Sequence, residues 1–176
     1  MIIKKTIETE LGTMIAGATD EGICLLEFAD RRMLGSECAY LEKYFKTTFQ
    51  EGKNEHLNLL IRELKDYFEG SLKSFTVPLV TPGTLFQKSV WKELMNIPYG
   101  TTRSYMEQSL ALGNAASIRA VANANGMNRI SIVIPCHRVI GSDGSLTGYG
   151  GGLKRKKWLL DHEKRHSGKP TDQLLF

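Results

Sequence analysis

The chain has 176 residues, 41% hydrophobic and 24% charged, a globular composition that excludes a disordered, collagen-like or fibrous protein and allows one compact domain or two small ones. Its net charge of +4 conceals an asymmetry: residues 1–82 carry 10 Lys and Arg against 13 Asp and Glu, whereas residues 83–176 carry 13 against 6, so the second half suits a polyanionic partner. Apolar runs such as Ile130 to Pro135 are too short to span a bilayer and Met1-Ile2-Ile3-Lys4-Lys5 lacks the order of a secretory signal, so a cytoplasmic protein with no membrane association is expected.

Residues 2–29 predict a β-meander of three strands, Ile2 to Thr9, Leu11 to Ala18 and Gly22 to Ala29, with turn signals at Glu10-Leu11-Gly12 and Asp20-Glu21-Gly22. Residues 33–49 and 55–69 predict helices; the second carries Leu57, Leu60, Ile61, Leu64 and Phe68 at helical spacing and stops at Gly70. Phe75-Thr76-Val77 reads as a short strand, and Pro78 to Gly83, with two prolines and a glycine, as a linker between domains. Leu85, Phe86, Val90, Trp91, Leu94 and Met95 then form one apolar helical face closed by Pro98-Tyr99-Gly100.

Ser104 followed three residues later by Glu107 is a capping-box signature of a new helix. It stops at Gly113, and another starts near Asn114 to Ser117 and runs to Asn125-Gly126. Such a pair reads either as a helix-turn-helix or as an ordinary helical hairpin. Arg119 near the start of the second helix, within the basic half, points toward DNA. Ile130, Ile132 and Ile134 alternate with Ser131 and Val133 as a buried strand that Pro135 ends, and Lys154 to Glu163 predicts a last helix.

Cys24, Cys38 and Cys136 are odd in number with no close pair, which argues against disulfides and against a Cys-based zinc site. Cys24 and Cys38 read as small packed hydrophobes. Cys136 differs. A thiol reacts as thiolate and needs a base or positive neighbours, and His137 and Arg138 follow it directly at the end of a rigid element. Adjacent residues on extended chain face opposite ways, so His137 would act through a water or after a bend. A buried cysteine beside a surface histidine is the other reading of these residues. His162 and His166, four apart with no further ligand set, read as a solvated helix end and not as a metal site.

The second half resembles the O6-alkylguanine-DNA alkyltransferases, also called methylated-DNA-protein-cysteine methyltransferases. The resemblance runs from Phe86-Gln87-Lys88-Ser89-Val90-Trp91 through Ile97-Pro98-Tyr99-Gly100, Ser104-Tyr105, Arg119-Ala120-Val121-Ala122 and Asn125-Gly126-Met127-Asn128. It continues into Ile134-Pro135-Cys136-His137-Arg138-Val139 and ends at Trp158-Leu159-Leu160-Asp161-His162-Glu163. The first half is similar only in its order of meander, then helices. The resemblance implies repair of double-stranded DNA containing O6-alkylguanine: Cys136 takes the alkyl group in one displacement, and the protein works once, as a monomer, with no metal or cofactor. It makes His137 the water-linked base, Glu163 the carboxylate that orients it, Asn128 the brace of the Cys136 loop, and Tyr105 the donor to the departing guanine. Arg119 would fill the gap left by the flipped nucleotide, Asn114 and Ser142 would touch the DNA backbone, and Tyr149, Gly150 and Gly151 would wall the alkyl pocket. Docking in the minor groove is likewise implied.

The expected fold is α/β of the α+β kind. Residues 1–80 form an N-terminal domain of antiparallel β-meander and helices. Residues 84–166 form a mainly helical domain with a DNA-binding helix-turn-helix and the active-site cysteine, and 167–176 a tail. Three departures from the family pattern carry expectations: Arg129 stands where proline is usual, loosening the Cys136 loop; Met106-Glu107-Gln108-Ser109 replaces the commoner Gly-Glu-Ile-Ala, altering local packing; and Gly150 replaces a serine of some members, widening the pocket. The competing readings are a damage-binding module without transfer, a transcription regulator, and a cysteine hydrolase using Cys136 and His137. The regulator would need side chains able to read base edges, whereas Ala115, Ala116, Ala120, Val121 and Ala122 are small and apolar.

Overall fold

The computed structural model describes residues 1–168, so the tail expected over 167–176 lies outside the described residues from position 169. The chain forms two compact units, Met1–Gly83 together with Arg129–Val133, and Thr84–Asn128 together with the chain from Ile134 onward.

The first unit is built on a four-stranded sheet ordered β3-β2-β1-β4. Strands β1 (Ile2–Thr9), β2 (Gly12–Thr19) and β3 (Gly22–Phe28) are the antiparallel meander read from the sequence, within one residue at each end. The helix expected over 33–49 is shorter. It is α1 (Leu34–Phe45), ended by Lys46 in a left-handed conformation (φ 52°), after which the chain extends into β4 (Phe49–Glu51), parallel to β1. The β-branched Thr47 and Thr48 favour that extended exit. Helix α2 (Glu55–Phe68) starts where Asn54 Oδ1 accepts from the backbone N–H groups of His56 and Leu57, and it buries Leu57, Leu60, Leu64 and Tyr67. The core under the sheet holds Ile2, Cys24, Leu25 and Leu41, with Ile15, Leu34, Cys38, Phe45, Phe49 and Val80 packed against them. Cys24 and Cys38 are thus packing residues. Burial pushes the Cys24 thiol up to about 12 and raises that of Cys38.

Two expected strands are absent. At 75–77 the backbone N–H groups of Thr76 and Val77 donate to the Glu63 carboxylate instead of to a neighbouring strand. Pairing comes two residues later, where Ile23 N–H donates to Pro78 and Val80 N–H to Ile23. Gly22 permits this approach, since a Cβ there would lie 2.5 Å from the Pro78 carbonyl oxygen. At 130–134 only Ile130 pairs, with Leu26. The chain then reverses at Ile132, whose φ of 73° and Val133 N–H to Ser131 carbonyl bond form a γ-turn of the rare, strained hand. Alternating isoleucines suggested a strand, yet every residue from Ile130 to Pro135 is buried. The two short pairings together cover the outer edge of β3, which would otherwise present unpaired backbone groups.

The second unit is mainly helical. Helix α3 (Leu85–Leu94) opens on a capping box at Thr84 and buries Val90, Trp91 and Leu94; Leu85 and Phe86, read as part of the same apolar face, are exposed. A two-stranded parallel ribbon, unseen in the sequence, joins β5 (Arg103–Ser104) to β6 (Val139–Ile140). Ser104 also caps α4 (Tyr105–Ala111) through the expected capping box with Glu107. After Gly113 comes a 3₁₀ turn over Ala115–Ser117, then α5 (Ile118–Gly126), completing the helix-turn-helix. Helix α6 (Leu153–His166) closes the unit; its His162 is buried and stacks on Trp158 with ring centroids 4.8 Å apart, so it is not the solvated helix end expected. Among the described residues no helix is long and apolar enough to cross a membrane, and no three His, Cys, Asp or Glu side chains group to hold a metal ion.

The first unit also buries charge. Glu27 on β3 accepts from Arg31 at 2.6 Å and from the Ser131 hydroxyl at 3.0 Å, while Arg31 reaches Glu37 at 2.9 Å. Arg129 lies over the Tyr40 ring at 4.0 Å and donates to the Pro82 carbonyl, and its own carbonyl accepts from Leu26 N–H. Far from loosening its segment, Arg129 anchors it. Burial pushes the Glu27 carboxyl up from 4.5 to about 8, even beside Arg31. Between those values the folded chain holds a proton that the unfolded chain releases, so this group's stabilisation is complete below pH 4.5 and is lost as pH rises through 8. Glu27→Gln, which keeps an acceptor for Ser131, is expected to flatten the fall in stability across that window, as measured by urea unfolding at a series of pH values.

Candidate active site

Cys136 begins a single 3₁₀ turn, Cys136–Arg138, directly after Pro135. The proline has φ −83° and ψ 61°, and Cys136 N–H donates back to the Ile134 carbonyl at 2.8 Å, so a second, relaxed γ-turn aims the thiol. Asn128 holds this turn from outside: its Nδ2 donates to the Ile134 carbonyl at 2.9 Å and to Cys136 Sγ at 3.3 Å. The same amide therefore ties the two ends of the 129–133 excursion and touches the sulfur. Cys136 is half-buried, open enough to meet a substrate, and is reduced.

His137 and Glu163 are both fully buried, and His137 Nε2 lies 2.7 Å from Glu163 Oε1. Arg138 doubles the hold on the carboxylate, with Nε 2.8 Å from Oε2 and Nη2 3.0 Å from Oε1, while its Nη1 donates to the Ile97 carbonyl at 2.7 Å. Gly100 N–H reaches Oε2 at 3.3 Å. Gly100 must be glycine here: its φ is 71°, and a Cβ would lie 2.7 Å from that of Ser167. Burial alone would raise the Glu163 carboxyl, but His137 and Arg138 outweigh it and hold the group well below the usual carboxylate range. Burial lowers His137, the charges of Arg138 and Lys156 add to it, and together they outweigh Glu163, leaving the imidazole neutral at pH 7. With a carboxylate at Nε2, the ring proton belongs there, and Nδ1 carries the lone pair. That Nδ1 is buried and has no protein partner among the described residues. The arrangement is a neutral base with its orienting anion on one side and an unused acceptor on the other.

Tyr105 starts α4, and its hydroxyl donates to the Thr147 carbonyl at 2.9 Å. Burial raises its pKa, and the nearby Cys136 charge adds to this, so it stays a phenol able to donate a proton. Tyr149 is half-buried, Gly150 exposed and Gly151 buried. All three lie in the loop that turns into α6 through a Gly152 N–H to Tyr149 carbonyl bond. Arg119 is exposed on α5, beside exposed Ala115, Ala116 and Ala120. Asn114 is exposed, and its Oδ1 accepts from Ala116 N–H as the cap of the 3₁₀ turn; Ser142 is exposed in the loop after β6.

Two residues with a part in this site carried no signal as such in the sequence. In the sequence Arg138 is only a cation next to the thiol, and its fork around Glu163 arises from the tertiary fold. Lys156 sits in a run of four basic residues that reads as a solvated face, yet it is fully buried. Its Nζ donates to the carbonyls of Val139, Thr147 and Gly148 at 2.5, 2.9 and 3.2 Å, stapling the loop that bears the expected pocket glycines. Burial depresses its ammonium to about 8 against the pull of Cys136. Helical phase could have found it, since Lys156, Leu159 and Glu163 share the inward face of α6.

The chain is similar to known proteins over its whole length. The family model for the DNA binding domain of 6-O-methylguanine DNA methyltransferase matches residues 85–165, and that for the ribonuclease-like domain of the same family matches residues 2–81. A methylated-DNA–protein-cysteine methyltransferase of Methanosarcina barkeri is 42% identical over 161 residues, covering 91% of this chain and 96% of that protein. Another, of Mycolicibacterium paratuberculosis, is 40% identical over 176 residues, covering 100% and 99%. A crystal structure of Mycobacterium tuberculosis OGT in complex with DNA matches with a TM-score of 0.80 at 37% identity, covering 97% of each chain.

Removing the carboxylate would strand two buried groups at once. Glu163→Ala is expected to destabilise the protein by about 3–5 kcal/mol in urea unfolding, with Arg138→Ala falling in the same range, because each leaves a buried charge without its partner.

Proposed function

Because the chain belongs to the 6-O-methylguanine DNA methyltransferase family, we propose that it repairs duplex DNA by moving the alkyl group of O6-alkylguanine onto its own Cys136. The observation that carries this reading is a thiol held by Asn128 beside a buried, neutral His137 oriented by Glu163, on a chain that the family models match over residues 2–81 and 85–165. DNA is the partner, as it is in the Mycobacterium tuberculosis OGT complex. We take 1–80 as the N-terminal domain and 84–166 as the domain that performs the chemistry.

The chemistry follows from the residue types. Cys136 gives its proton to His137 Nδ1 through a bridging water, and the imidazolium that forms is stabilised by Glu163. The thiolate sulfur attacks the alkyl carbon as the bond from that carbon to guanine O6 breaks, and its electron pair stays on the base. Tyr105 leaves the Thr147 carbonyl to donate to the departing guanine. The product is a thioether, which has no competent leaving group, so each molecule acts once. No step calls for a metal or an organic cofactor.

A base within a duplex is out of reach of a half-buried sulfur, so the nucleotide is flipped at a cost of roughly a few kcal/mol, which Arg119 in the vacated stack offsets. The small, exposed residues Ala115, Ala116 and Ala120 around it suit close, sequence-indifferent approach to the minor groove, with Asn114 and Ser142 on the phosphates. The protein acts as a monomer in the cytoplasm. Tyr149, Gly150 and Gly151 wall the alkyl pocket, and the exposed Gly150 leaves room for groups larger than methyl.

Incubation with duplex DNA carrying one O6-methylguanine is expected to place a single methyl group on the Cys136 peptide, read by mass spectrometry, and none on Cys136→Ala. Tight binding without transfer would instead leave the chain a damage-binding protein. Gly150→Ser is expected to lower the ratio of benzyl to methyl transfer rates; an unchanged ratio would remove Gly150 from the pocket wall.

A further inference from the structure

The helix-turn-helix of this chain is held by an interaction that its apolar residues do not explain. Gln108 on α4 is fully buried, and so, nearly, is Asn125 on α5. Their side chains form a reciprocal amide pair, Gln108 Nε2 donating to Asn125 Oδ1 at 2.9 Å and Asn125 Nδ2 to Gln108 Oε1 at 2.7 Å. Two antiparallel hydrogen bonds between planar groups fix separation and rotation together. An aliphatic contact of equal volume would tolerate sliding by a fraction of an ångström, whereas this pair does not without leaving buried polar atoms unsatisfied.

Each end of the pair lies one helical turn from a residue of the site. Gln108 follows Tyr105 by three residues on α4. Asn125 precedes Asn128 by three, and the Asn125 carbonyl accepts from Asn128 N–H at 3.2 Å. The same turn of α5 is held from α3 by the Trp91 indole N–H, which donates to the Ala124 carbonyl at 2.8 Å. A rigid path therefore runs from the Tyr105 end of α4, across the amides, to the Asn128 side chain that touches Cys136 Sγ.

We propose that Gln108 and Asn125 are positioning residues of the transfer reaction: their amide pair sets the register of α4 against α5 and so holds the Tyr105 hydroxyl where a guanine attacked by Cys136 can take its proton. The proposal rests on the transfer reading given above. Neither residue touches the reacting atoms; both act through the placement of Tyr105, while Asn128 keeps its own hold on the Cys136 turn.

The informative variant replaces both partners, since a single truncation strands its buried neighbour and destabilises the unit. Gln108→Ile with Asn125→Leu keeps the volume apolar and is expected to retain the wild-type unfolding midpoint and wild-type alkylation of Cys136 by iodoacetamide, followed on the Cys136 peptide. Its methyl transfer from saturating O6-methylguanine duplex is expected to slow by about tenfold or more. The discriminating step is Tyr105→Phe, introduced into the wild type and into the double variant. If the amide pair works through the phenol, Tyr105→Phe slows the wild type strongly and the double variant much less. Transfer at the wild-type rate in the double variant, or a Tyr105→Phe effect of equal size in both backgrounds, would overturn the proposal, as would a rate loss that merely follows a lowered unfolding midpoint. A wild-type protein that methylates no Cys136 would overturn the transfer reading and this inference with it.

Discussion

The second unit is organised around one buried carboxylate. Glu163 brings together elements far apart in sequence: the turn after α3 through Gly100, the 3₁₀ turn of the thiol through His137 and Arg138, and its own helix α6. A lone carboxylate in such a place would take up a proton. Arg138 prevents this by offering a planar fork that fills both oxygens, which leaves His137 free of the duty of neutralising the charge. The division of labour matters chemically. Burial is the main cause that keeps His137 neutral, and the positive charges of Arg138 and Lys156 add to it, so the imidazole stays able to accept a proton.

The other determinant is the way the chain reaches the sulfur. Five residues, Arg129 to Val133, belong to the first unit, and the chain is bound there by backbone pairing with Leu26, by Ser131 on Glu27 and by Arg129 on Tyr40. The strained turn at Ile132 exists because those bonds fix what precedes it. Within the second unit, Asn128 donates to the Ile134 carbonyl and to the sulfur, and so holds the turn that carries Cys136. Positions of this kind, where a β-branched residue is forced to positive φ, are found where surrounding contacts overdetermine the backbone.

Much of this was legible from residue types. The capping box at Ser104, the glycine stops and the run through Pro135-Cys136-His137 each express a local rule, and local rules survive folding. What was hidden depends on partners distant in sequence. Alternating isoleucines at 130, 132 and 134 carry the same pattern whether the chain extends or doubles back, and only the neighbours that bury both faces decide. Lys156 hides in a basic run because charge patterning treats each lysine alike, while helical phase assigns one of them inward. Strands β4, β5 and β6 are two or three residues long, too short for periodicity to register. Gln108 registered only as a mismatch to an apolar expectation, since a buried amide is intelligible once its partner seventeen residues on is known.

The order of the chain gives the buried carboxylate a further meaning. His137 and the thiol beside it are made 26 residues before Glu163, and a nascent chain emerges from its amino end. Until α6 is complete and docked, the imidazole lacks its orienting anion, Arg138 lacks its acceptor, and the Lys156 staple on the loop is missing. Before that docking, the Cys136 thiol lacks the oriented imidazole that stands next to it in the folded unit. Docking of the last helix is thus the step that completes the surroundings of the thiol: it brings the carboxylate to His137 and Arg138 and the ammonium of Lys156 to the carbonyls of Val139 and the neighbouring loop.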